Sequence, residues 1–127
     1  MIITAAILLF TARCSPPPIQ AEASLTIEIT DQGFIPGDVY VPTGQEIAVT
    51  IINKTGSDHA WIVLAEPYFS PYQADTPDVF YEILVPAGKN ITDTFTAPAT
   101  GIQLDIICEN DLCIEAGFRG RFIAVEE

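Results

Sequence analysis

Four residues in this chain carry chemistry that spacing alone can interpret: His59, Cys108, Cys113 and Cys14. The chain has one histidine and three cysteines. Thiolate is a soft metal ligand and imidazole a borderline one, so a His with two Cys can build a copper or zinc site. Two cysteines so close in sequence can instead close on each other as a disulfide. Cys108 opens a loop that also carries Cys113 and ends near Gly117-Phe118-Arg119-Gly120. Asp111 and Glu115, in the same loop, could supply oxygen to a metal or remain solvated charges. No base-orienting motif accompanies His59, so no Ser-His-Asp or thiol-protease arrangement forms, and no enzyme activity is expected.

The elements that must position these residues read as strands. Leu25, Ile27 and Ile29 alternate with Thr26, Glu28 and Thr30, the period of a half-buried strand. Further strands are expected at Asp38 to Val41, Glu46 to Asn53, His59 to Leu64, Val79 to Val85, Asn90 to Thr96, Ile102 to Ile107 and Arg121 to Val125. Glu46 to Asn53 is apolar on alternate positions with Ala48, Thr50 and Ile52 between, which predicts a central strand covered on both faces. Trp61 reads as core. Turn signals recur every 8 to 12 residues or so, and no sustained helical spacing appears beyond the N-terminal apolar run. The fold class is therefore all-β, a Greek-key β-sandwich of seven to eight strands. The stretch from Glu66 to Asp78, with Pro67, Pro71 and Pro77 among Tyr68, Phe69 and Tyr72, is expected to be a surface excursion.

Seventeen acidic residues against five basic ones give a net charge of −12. That charge repels nucleic acid and suits a basic redox or accessory protein as partner, with the domain itself a monomer. Ile2 to Phe10 is an apolar run too short to span a bilayer. With Cys14 and Pro16-Pro17-Pro18 behind it, it resembles a bacterial lipoprotein signal, which implies lipidation at Cys14. The small-x-small stretch Ala21-Glu22-Ala23 offers ordinary secretory cleavage instead. Both place the protein outside the cytoplasm, and lipidation would tether it to a membrane. The expected organisation is a signal over 1–14, a Pro-rich linker over 15–23 and one domain over 24–127. Lipidation or removal of Cys14 leaves Cys108 and Cys113 as an even pair.

An ordered set of segments resembles the cupredoxins, the small blue-copper proteins such as plastocyanin, halocyanin and auracyanin. These are Phe34-Ile35-Pro36, Val41-Pro42-Thr43-Gly44-Gln45, Asn53 followed by His59-Ala60-Trp61, Val85-Pro86-Ala87-Gly88, Phe95-Thr96-Ala97-Pro98, Cys108 and Glu115-Ala116-Gly117. The resemblance implies a cupredoxin-like sandwich, copper as cofactor and electron transfer as function. His59 matches the first imidazole of the family's site and Cys108 its thiolate. Cys113 stands where the second imidazole belongs, Phe118 where the axial thioether belongs, and Ala60 where an Asn commonly braces the cysteine loop. One His cannot furnish two imidazoles, so the standard site cannot be assembled from this chain. The dinuclear copper site of cytochrome oxidase subunit II also uses two cysteines in this loop, but it needs two histidines and a shorter spacing. Three readings remain: a remodelled soft-metal site at His59, Cys108 and Cys113, with Glu115 as a further oxygen donor; electron transfer through an unusual copper centre; and a metal-free binding or accessory domain with a Cys108–Cys113 disulfide.

Overall fold

The computed structural model describes residues 20–66, 78–109 and 111–126. The signal, Cys14, the first part of the Pro-rich linker and the aromatic residues of the Glu66 to Asp78 stretch lie outside the described residues. Nine strands and one short helix are described: β1 (Ser24–Thr30), β2 (Gly33–Ile35), β3 (Asp38–Pro42), β4 (Glu46–Asn53), β5 (His59–Leu64), β6 (Val79–Val85), β7 (Asn90–Thr96), β8 (Ile102–Ile107), α1 (Asp111–Glu115) and β9 (Gly120–Val125). They form two sheets, one in the order β2-β1-β4-β7 and the other β3-β9-β8-β5-β6.

Alternation within each strand builds the sandwich. In β1, Leu25, Ile27 and Ile29 are buried while their neighbours are exposed or half-buried. Ile47, Val49 and Ile51 of β4 sit beside them, and Trp61, Val63 and Phe122 close the core from the opposite sheet. β1 pairs with β4, and β3 with β9, in parallel; the other pairings are antiparallel. β1 and β4 belong to one sheet while β3, between them in sequence, belongs to the other. The chain therefore crosses between sheets twice, which is what lets parallel pairs form in an antiparallel sandwich.

Three differences from the sequence reading have local causes. β2 is a ninth strand beyond the seven to eight expected, because three residues cannot display a period. β4 is central, between β1 and β7, but Ala48, Thr50 and Ile52 are half-buried, because no second layer covers the outer face of its sheet. The cysteine loop contains the single helical turn α1, too short to show a 3.6-residue period in sequence. No helix among the described residues is long and apolar enough to cross a membrane.

Candidate functional site

Two connections place the site, the β4–β5 turn and the β8–β9 loop. The first is fixed by Asn53, the one buried polar side chain among the described residues. Its Nδ2 donates to the carbonyls of Ser57 (2.8 Å), Val85 (2.9 Å) and, more distantly, Pro86 (3.3 Å). Its Oδ1 accepts from the Thr55 N–H (2.9 Å) and hydroxyl (2.8 Å). A buried amide survives only when it is satisfied, and here both ends are. Asp58 adds a bond from the Ala87 N–H (2.9 Å). The turn thereby delivers His59 to the first position of β5, opposite Val85.

The second connection starts where β8 ends. Cys108 is 1% exposed and Cys113, on α1, is 8% exposed. The helical turn carries Cys113 back over Cys108, and the two form a disulfide with a Cα separation of 6.1 Å, inside the range the bond accepts. Gly117 then takes φ +103° and ends the turn, with its N–H on the Ile114 carbonyl (3.1 Å) and the Phe118 N–H on the Cys113 carbonyl (3.0 Å). The reversal turns Phe118 inward, where it packs edge-on against Phe34 (5.7 Å between centroids) and flat against the His59 ring (4.8 Å). At Gly120 a Cβ would sit 1.8 Å from the Gly37 carbonyl oxygen, so β9 can begin against that loop only as glycine.

Glu109 ties the two connections together. One carboxylate oxygen, Oε2, accepts the Ala60 N–H (2.9 Å). The other, Oε1, lies 3.3 Å from His59 Nδ1. That nitrogen is buried, and its approach to Glu109 lacks the alignment of a hydrogen bond. The contact is a close polar approach rather than a hydrogen bond, to a carboxylate whose side chain is 31% exposed. In effect the cysteine loop is braced from its own side: Glu109 reaches to the backbone of Ala60, the position where the family pattern places an Asn.

The structure thus brings Cys108, Cys113, Glu109, His59 and Phe118 to one end of the sandwich. One donor atom each from Cys108, Glu109 and Cys113 fall within 4.8 Å of one another. His59 joins through Glu109. Glu115 is exposed at the end of α1 and stands outside that donor group, and the Asp111 side chain lies outside the described residues. Glu109 was not singled out in the sequence. The available signal was a carboxylate immediately after the thiol that opens the loop.

These residues do not fit a blue-copper centre. The single imidazole faces a carboxylate and an aromatic ring, both sulfurs are bonded to each other, and Phe118 fills the axial side. The chain's one methionine, Met1, is far from this end in sequence and lies outside the described residues.

No family model and no curated protein matches this chain. Solved structures do. An auracyanin from the photosynthetic bacterium Roseiflexus castenholzii, reduced with dithionite, superposes with a TM-score of 0.69 at 22% identity, covering 84% of this chain and 99% of its own. Auracyanin B gives 0.66 at 18% identity over 84% and 92%. Auracyanin A, a "blue" copper protein of the green thermophilic photosynthetic bacterium Chloroflexus aurantiacus, gives 0.58 at 23% identity over 80% and 99%. Together with the two-sheet topology and the position of the cysteine loop, these similarities establish that the chain has the cupredoxin fold of the auracyanins.

Proposed function

We propose that this is an exported, membrane-tethered cupredoxin-fold domain that works without a blue-copper centre, as a disulfide-closed binding or accessory module. The observation that carries the reading is the Cys108–Cys113 bond, buried and packed where the thiolate and second imidazole of the family pattern belong. A disulfide suits an extracytoplasmic compartment. The net charge of −12 suits a basic partner protein. The fold supplies a rigid sandwich and the cystine holds its loop-bearing end in one conformation.

Mass spectrometry after alkylation tests this. Treated folded or denatured but unreduced, Cys108 and Cys113 should take no alkyl group; after reduction each should take one. Alkylation of both in the unreduced, denatured chain would overturn the disulfide-closed reading.

A second reading, a remodelled soft-metal site, is favoured by one specific observation: the donors of Cys108, Glu109 and Cys113 cluster within 4.8 Å. On this reading the reduced loop takes Cu(I) or another soft cation through the two sulfurs, with the Glu109 carboxylate beside them. Copper-mediated electron transfer is the least supported outcome, because two thiolates would reduce Cu(II) and return to the disulfide.

A further inference from the structure

We propose that reduction of the Cys108–Cys113 bond turns this loop into a zinc site in which Glu109 is the third protein ligand. The proposal rests on the soft-metal reading just given and goes beyond it by naming the metal and making the Glu109 carboxylate a ligand to it.

Glu109 is not simply a solvated charge: its Oε2 holds the Ala60 N–H at 2.9 Å and its Oε1 faces His59 Nδ1 at 3.3 Å. The same side chain puts an oxygen within 4.8 Å of both sulfurs. A cystine offers a carboxylate no coordination partner. A divalent cation held by two thiolates keeps open coordination positions that a carboxylate oxygen can fill.

Donor type then selects the metal. Two thiolates disfavour magnesium and calcium, which want oxygen. A carboxylate disfavours Cu(I), which prefers purely soft ligands. Zinc accepts sulfur at about 2.3 Å and oxygen at about 2.0–2.2 Å in one tetrahedron, with no geometric demand of its own. The fourth position falls to water. The local chain geometry favours this use. Cys113 sits on a single helical turn, so it can swing away from Cys108 without disturbing β8 or β9, which are held by their own ladder.

The redox step balances with a dithiol reductant. One thiolate of the reductant attacks the Cys113 sulfur, the more exposed of the two, and the S–S bond breaks with Cys108 leaving as thiolate. The second thiol of the reductant displaces Cys113 and the reductant departs as its own disulfide. Two electrons and two protons have passed to the protein. Zinc then replaces the two thiol protons, which are released to solvent.

The test uses the full chain, in oxidised form and in a form reduced with a dithiol and freed of it under anaerobic conditions. Each is titrated with zinc against a chromophoric chelator and with Co(II) as a spectroscopic probe. The reduced chain should bind one zinc, and its Co(II) form should show near-ultraviolet thiolate bands with the strong visible bands of a tetrahedral ion. The oxidised chain should bind none. Glu109→Gln keeps an oxygen for the Ala60 N–H but loses the charge, and should weaken zinc binding by about tenfold or more. Unchanged zinc affinity in Glu109→Gln would overturn the role given to Glu109. A reduced chain that takes Cu(I) but no zinc would overturn this inference and leave the soft-metal reading standing; one that takes neither would overturn both. If the reduced chain loses its β-sheet circular dichroism, recovery on adding zinc supports the site and failure to recover overturns it.

Discussion

Two connections flank the start of β5, and they are built on opposite principles. The β4–β5 turn is held by the Asn53 amide, whose donors and acceptor are all used inside a segment of a few residues and the adjoining β6 end. The β8–β9 loop is held by one covalent bond and one carboxylate. The turn's stability is indifferent to redox state. The loop's is not. Nature of the tie, rather than burial, separates them: Asn53, Cys108 and Cys113 are all buried. This lets one end of the sandwich stay fixed while the part beside it can change its chemistry.

The comparison can be broken in several ways. Asn53→Ala should have the largest effect, a loss of about 3 kcal/mol, because it removes a buried amide's bonds to the Ser57 and Val85 carbonyls and leaves the Thr55 N–H without its side-chain acceptor. Denaturant melts should give the same loss in oxidised and reduced protein; a large difference would mean that the two connections are one unit. Replacing both cysteines, Cys108→Ala with Cys113→Ala, should cost roughly 2 kcal/mol, the chain entropy of so short a loop. Glu109→Ala should cost about 1 kcal/mol by freeing the Ala60 N–H. Combined with Asn53→Ala it should be additive to within ~0.5 kcal/mol, since the two side chains share no partner.

The smallest effects belong to exposed ionisable pairs that neither connection uses. The Arg121 guanidinium, through a hydrogen bond to Asp38 Oδ2 at 2.7 Å, holds the Asp38 carboxyl below its ordinary range. A depressed carboxylate stabilises the fold above its unfolded pKa, and that contribution is lost as pH falls through the folded value. Asp38→Asn should therefore flatten slightly the acid limb of the stability curve, with no effect near neutrality on its slope. Tyr81 works in the other direction. Burial, and then the hydrogen bond to Asp93 Oδ2 at 2.5 Å, push its phenol above the ordinary range. Its contribution is present below the unfolded phenol pKa and fades as pH rises beyond it, which ultraviolet titration against a Tyr81→Phe variant would detect.

Much of the sandwich was legible because β-structure writes a period of two into the chain. Glu46 to Asn53, His59 to Leu64, Val79 to Val85, Asn90 to Thr96 and Ile102 to Ile107 were expected with the bounds they have. β2 was not, because three residues cannot display a period. The site was legible in its residue types: a single His, and a pair of cysteines at one loop, already argue against two imidazoles and a thiolate. Glu109 was not, because a carboxylate on a loop has no pattern; only the fold puts the Ala60 N–H and His59 in its reach. Phe118 could be placed in the axial position, but its flat stacking on His59 depends on the reversal at Gly117.

A cupredoxin frame here carries a closed cystine at the place of a blue-copper centre. Titrating the unreduced full chain with Cu(II) while recording the visible spectrum tests it most directly. No intense thiolate-to-copper band should appear, because the two sulfurs are bonded to each other and the chain has a single imidazole. A strong band in the red at one copper per chain would contradict it.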